Sequence, residues 1–161
     1  MQPVTWFNRI QWLAIALVIV VSDQVTKALV QKFIPEHATI PVIPHFFNLI
    51  HVKNAGAVFG LFADSPAPWK TGALIGASSL LLAMLIIVLW RSWHIRWLTG
   101  MGFALVLGVA LSNLLDRFRY GRVVDFLDFY ARGYHWATFN LADSAIVVGA
   151  SLLMFEILFL Q

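Results

Sequence analysis

Long apolar runs alternating with shorter polar segments dominate the chain. A helix needs about 20 apolar residues to cross a membrane, because each residue adds 1.5 Å to a hydrocarbon layer about 30 Å thick. Four segments meet that length: Ile10 to Val30, Thr71 to Trp90, Trp97 to Leu115, and Ser144 to Leu160. The second carries no charge and the third none, whereas the fourth is slightly short and holds Glu156 near its far end. An interface tolerates that carboxylate; the bilayer midplane does not. The pattern predicts an all-α integral membrane protein, one four-helix domain over residues 1–161, without internal repeats or linkers.

Tryptophans favour the headgroup zone, where the ring is half buried and its N–H is wet. All seven fall at or near predicted span ends: Trp6 and Trp12, Trp69 and Trp90, Trp93 and Trp97, and Trp136. Ile10 to Val21, preceded by Arg9, also has the look of a cleavable leader. No Ala-x-Ala-like site follows it, and the polar run Ser22 to Lys27 has no place in a discarded segment.

Composition agrees. Of 161 residues, 60% are hydrophobic and 12% charged, about half the charge of a soluble domain. So much apolar surface requires membrane lipid to cover it. The net charge of +3 comes from scattered basic residues without a Lys/Arg run, so nucleic acid is not an expected partner. The absence of cysteine excludes disulfides, thiol catalysis and Cys-based metal sites.

Four crossings place the end of span one, the connection to span two, the end of span three and the start of span four on one side. Fifteen of the nineteen charges then share that side, leaving Arg9, Arg91, Arg96 and Glu156 on the other. The chemistry is expected on the crowded side. That side carries eight basic residues against three, so a count of Lys and Arg alone would place it in the cytoplasm.

Asp125 lies among apolar neighbours beyond span three, and Asp143 lies where span four begins. Two carboxylates held close in apolar surroundings share one proton. The charged member can take a proton from water, and the protonated member can hydrogen-bond a carbonyl under attack. Such chemistry needs no metal and no cofactor. Each residue has a plainer reading. Asp143, three residues after Asn140, reads alone as part of a helix cap, and Asp125 could pair with Arg117, Arg119 or Arg122. Only the two together suggest catalysis.

Asp23 and Lys27, four apart, face one another across a helical turn. Asn113, Asp116 and Arg117 share a helix face and could bind helices together. Asn54 and Gly56 suggest a turn, followed by a short strand or membrane wedge at Val58, Phe59, Leu61 and Phe62. The histidines show no His-Glu-x-x-His pattern and there is no Gly-x-Ser-x-Gly elbow. A Ser/Lys dyad would have to use Lys27 with Ser22 or Ser112.

Five ordered segments resemble the lipoprotein signal peptidases, or signal peptidase II, a bacterial family of membrane aspartic proteases. They are Asp23-Gln24-Val25-Thr26-Lys27, Asn54-Ala55-Gly56-Ala57-Val58-Phe59, Ser112-Asn113-Leu114-Leu115-Asp116-Arg117, Gly121-Arg122-Val123-Val124-Asp125-Phe126 and Phe139-Asn140-Leu141-Ala142-Asp143-Ser144. The resemblance implies a catalytic dyad of Asp125 and Asp143, supported by Asp23, Lys27, Asn54, Gly56, Asn113, Arg117 and Asn140. It also implies a small β-rich platform between helices 1 and 2. The implied substrate is a prolipoprotein bearing a diacylglyceryl cysteine, cut on the amino side of that cysteine. The implied setting is the bacterial inner membrane, with both termini cytoplasmic, the dyad on the periplasmic side and the enzyme a monomer. The chain departs from the usual family pattern at Ser112, where glycine is common, and at Ala137, where proline is common. A proton- or ion-coupled transporter or scaffold is the competing reading. It would need ionisable groups through the membrane depth, and spans two and three have none.

Overall fold

The structure, a computed structural model, describes residues 5–56, 69–91 and 95–160. Four helices carry the apolar runs: α1 (Trp6–Phe33), α2 (Lys70–Arg91), α3 (Trp97–Tyr120) and α4 (Leu141–Phe159). All four are long and apolar enough to cross a membrane, which makes the chain a multi-pass membrane protein. Large side chains such as Leu80, Ile87, Val147 and Phe159 are exposed on them, as lipid-facing positions should be.

All four helices outrun the predicted spans, α2 by a single residue at each end. α1 has 28 residues, about 42 Å at 1.5 Å per residue, so it extends well beyond the hydrocarbon. It starts at a capping box in which Thr5 and Asn8 satisfy each other's backbone. α3 continues past Leu115 through Asp116 and Arg117 and stops at Gly121, whose φ of 69° is the left-handed conformation that suits glycine. α4 begins three residues early because Asn140 caps it and Asp143 completes the box.

α3 packs against the other three helices. Small residues allow this: a Cβ on Gly102 would lie 3.0 Å from the Gly149 carbonyl oxygen of α4, and one on Gly108 only 2.8 Å from the Ala16 carbonyl oxygen of α1. Trp12 departs from the interfacial placement expected of it. It is buried, because Gly100 leaves a slot that its indole fills against α3.

An antiparallel sheet in the order β1-β2-β3-β4 sits at one end of the bundle. β1 (Thr39–Ile43) and β2 (Phe47–Asn54) come from the connection between α1 and α2, as expected of the platform. The other half comes from between α3 and α4: β3 (Val123–Ala131) and β4 (Tyr134–His135). Arg132 and Gly133, both at positive φ, close the two-residue β3–β4 hairpin. The expected strand or wedge at Val58, Phe59, Leu61 and Phe62 lies outside the described residues.

Candidate active site

β3 aims the first carboxylate by alternation. Val124 and Phe126 pack on Val30 and Ile34, so Asp125 between them turns to the opposite face of the strand. Its register partner on β2 is Val52. The chain returning from β4 is stitched back onto β3: Phe126 and Leu127 N–H both donate to the Phe139 carbonyl, at 3.0 and 2.8 Å. That stitch delivers Asn140, the next residue, to the side of Asp125 and starts α4 there.

Asn140 is fully buried and joins the two acids. Its Nδ2 donates to Asp125 Oδ1 at 2.8 Å, while its Oδ1 accepts from the Asp143 backbone N–H at 3.0 Å. Its own N–H donates to Asp143 Oδ2 at 3.3 Å. The cap reading of Asp143 and its place beside Asp125 are therefore both true. Asn54 Nδ2 donates to Asp125 Oδ2 at 2.9 Å, and Asn113 Nδ2 to Asp143 Oδ1 at 3.3 Å. Burial, followed by the nearby charge of Asp143, pushes the Asp125 carboxyl up to about 7, only partly opposed by the two asparagine amides.

The remaining predicted site residues converge on this pair. Lys27 Nζ lies 2.6 Å from Asp23 and 2.7 Å from Asp116, and donates to Asn113 Oδ1 at 3.0 Å. Its ammonium is thus enclosed by acceptors and unsuited to act as a base, and Ser112 Oγ donates to Asp23 Oδ2 at 2.7 Å. That arrangement removes the Ser/Lys dyad. Asp23 also accepts from the Ala142 N–H in the first turn of α4, at 2.9 Å. Arg117 does not pair with Asp125; it donates to the carbonyls of Gly56, at 3.0 Å, and Asn113, at 3.3 Å. The Gly56 N–H in turn donates to Asn54 Oδ1 at 2.7 Å, closing the turn that the Asn-Ala-Gly sequence suggested. All nine residues therefore belong to one connected polar cluster.

Three members were missing from the expected site: Gln24, Ser112 and Asp116. Gln24 Nε2 donates to Ser112 Oγ at 3.0 Å and to Asp116 Oδ1 at 2.8 Å, and its Oδ-equivalent, Oε1, accepts from Arg119 at 3.1 Å. Asp116 further accepts from the Val124 N–H at 3.3 Å, tying the end of α3 to β3. The one signal was position: Gln24 lies between Asp23 and Lys27, and Asp116 shares a helix face with Asn113 and Arg117.

The geometry has counterparts. Residues 15–159 match the family described as Signal peptidase (SPase) II. A protein of Desulforapulum autotrophicum named lipoprotein signal peptidase is 41% identical over 145 residues, 90% of each chain. One of the same name from Solibacter usitatus is 40% identical over 151 residues, 92% of each chain. A solved structure described as a bacterial membrane enzyme, obtained by the in meso method at 1.9 Å resolution, superposes with a TM-score of 0.85 at 27% identity. That similarity covers 99% of this chain and 98% of the other.

Proposed function

The chain belongs to the signal peptidase II family, a family of peptidases, and on that premise we propose that Asp125 and Asp143 form its catalytic dyad. The substrate is a prolipoprotein whose cysteine already bears a diacylglyceryl group, and the bond cut is the one on the amino side of that cysteine. The observation that carries the reading is the Asn140 side chain, which holds Asp125 with its nitrogen and the backbone of Asp143 with its oxygen.

Asp125, with its raised value of about 7, supplies the protonated member. Asp143, facing the amide and backbone donors of Asn113 and Asn140, supplies the carboxylate. Asp143 removes a proton from water as the water oxygen attacks the peptide carbonyl carbon, and Asp125 passes its proton to the carbonyl oxygen. Collapse of the resulting gem-diol returns a proton from a hydroxyl to Asp125. Asp143 delivers its own proton to the leaving amide nitrogen, and the C–N bond breaks. Each carboxyl ends in its starting state. Asn54, Asn113 and Asn140 act by positioning; Asp23, Lys27 and Arg117 hold the positioners.

A transmembrane signal segment must unwind for water to reach its backbone, and a carboxylate pair at the end of the bundle supplies that meeting of water and lipid. We place the chain in the bacterial inner membrane as a monomer, a single four-helix peptidase unit, with the termini cytoplasmic and the dyad on the periplasmic side.

Cleavage of a synthetic lipid-modified peptide by purified protein tests substrate and reaction together. The wild type should release the signal segment, while Asp143→Asn, which keeps the cap acceptor, should lose at least about 100-fold in rate and remain folded. Near-normal cleavage by that variant would end the dyad assignment.

A further inference from the structure

The end of the bundle away from the carboxylates holds a feature that the peptidase reaction does not use. A groove of about 520 Å³ opens between α1, α2 and α3, walled by Leu13, Leu17, Leu82, Ile86 and Leu111, with Arg9 at its mouth. From Arg9 to Leu17 is eight residues of helix, about 12 Å. That approaches the roughly 15 Å of hydrocarbon in a single leaflet. The slot therefore has the depth of one leaflet, with its only charge at the headgroup end.

Arg9 is held in place there. Its guanidinium carbon lies 5.6 Å from the Trp6 ring centroid and 5.5 Å from that of Trp90, two cation–π contacts that fix the group without neutralising it. Its Nε is buried and unpartnered, as is Nε1 of Trp12 on the groove wall. Among the described residues no carboxylate pairs with Arg9. Glu156, the acid at this end, engages Arg96 at 3.6 Å and Thr99 instead.

We propose that this groove is a binding site for one anionic phospholipid, an acyl chain lying along α1 and α2 with the phosphate on Arg9. Charge selects this occupant. A signal peptide carries its basic segment at the matching level and would meet Arg9 with like charge, and a zwitterionic lipid places a cation beside its phosphate.

Native mass spectrometry of the purified protein, offered equal amounts of phosphatidylglycerol and phosphatidylcholine with the same chains, tests the site. The wild type should retain one phosphatidylglycerol with about tenfold preference, the order expected of a single charge-assisted contact. Arg9→Gln should abolish the preference and Arg9→Lys should keep most of it. Ile86→Trp, on a half-exposed wall position, should reduce retention of both lipids while leaving the charge untouched. Equal retention by the wild type, unchanged preference in Arg9→Gln, or unaltered binding in Ile86→Trp would each overturn the proposal. So would displacement of the lipid by a synthetic signal peptide. Should Arg9→Gln fail to fold, the wild-type preference and Ile86→Trp still decide the matter. Cleavage of the lipid-modified peptide is expected to be unchanged in all three variants.

Discussion

Replacing Asp125 with asparagine should abolish cleavage and at the same time reverse sign in its effect on stability as pH changes. The folded-state value of about 7 lies above the ordinary 3.8, so the native state binds the proton more tightly than the unfolded chain. The associated stability is fully present below about pH 4 and is lost as pH rises through about 7. At about 1.4 kcal/mol per pH unit the loss reaches about 4 kcal/mol in mildly alkaline solution. Asparagine has no such dependence. It offers one acceptor, however, where Asp125 serves both Asn54 and Asn140, and a stranded buried donor costs about 1–3 kcal/mol. The variant should therefore be less stable than the wild type by about 1–3 kcal/mol near pH 4 and more stable by a similar amount near pH 8. Unfolding in detergent across that range, with peptide cleavage measured alongside, reads both effects; wild-type cleavage should also decline above about pH 7. Parallel stability profiles for the two proteins, or cleavage by Asp125→Asn, would refute the reasoning.

Lys27→Ala would leave Asp23 and Asp116 as adjacent buried anions, a loss of about 3–5 kcal/mol that thermal unfolding should register, with Lys27→Ala plus Asp116→Asn recovering part of it. Ser112→Gly removes a hydrogen bond to the Asp23 carboxylate and loosens mid-helix backbone, together about 2 kcal/mol, with cleavage retained in the folded fraction. Gly100→Ala places a Cβ 2.1 Å from Trp12 Cε2 and should destabilise by about 1–3 kcal/mol, visible as a lowered melting temperature and a more exposed Trp12 emission.

The helices and the gathering of polar residues at one end of the bundle were legible in the chain because both depend on counting: apolar run lengths, and the parity of crossings. The cap at Asn140 was legible because capping is local. Pairings over long sequence distances were not. β3 reads as mixed apolar and acidic residues, and Asn54 of the neighbouring strand β2, whose side chain holds Asp125, lies 71 residues away, so half the platform went unseen. The same distance hid Gln24, whose partners Ser112 and Asp116 sit on another helix. Trp12 was misplaced for a related reason: preference for an interface is a single-residue tendency, whereas the slot that buries it is made by Gly100 on α3.

The double duty of Asn140 has a pharmacological corollary. Aspartate, serine or threonine at this position could still cap α4, but an aspartate carboxylate could not make the amide's donation to Asp125, since one end of Asn140 anchors the helix and the other the strand. If Asp125 and Asp143 form the proposed dyad, an inhibitor that grips this amide would leave little room for resistance by substitution at position 140, because a carboxylate replacement that evades the drug also gives up the hydrogen bond to Asp125.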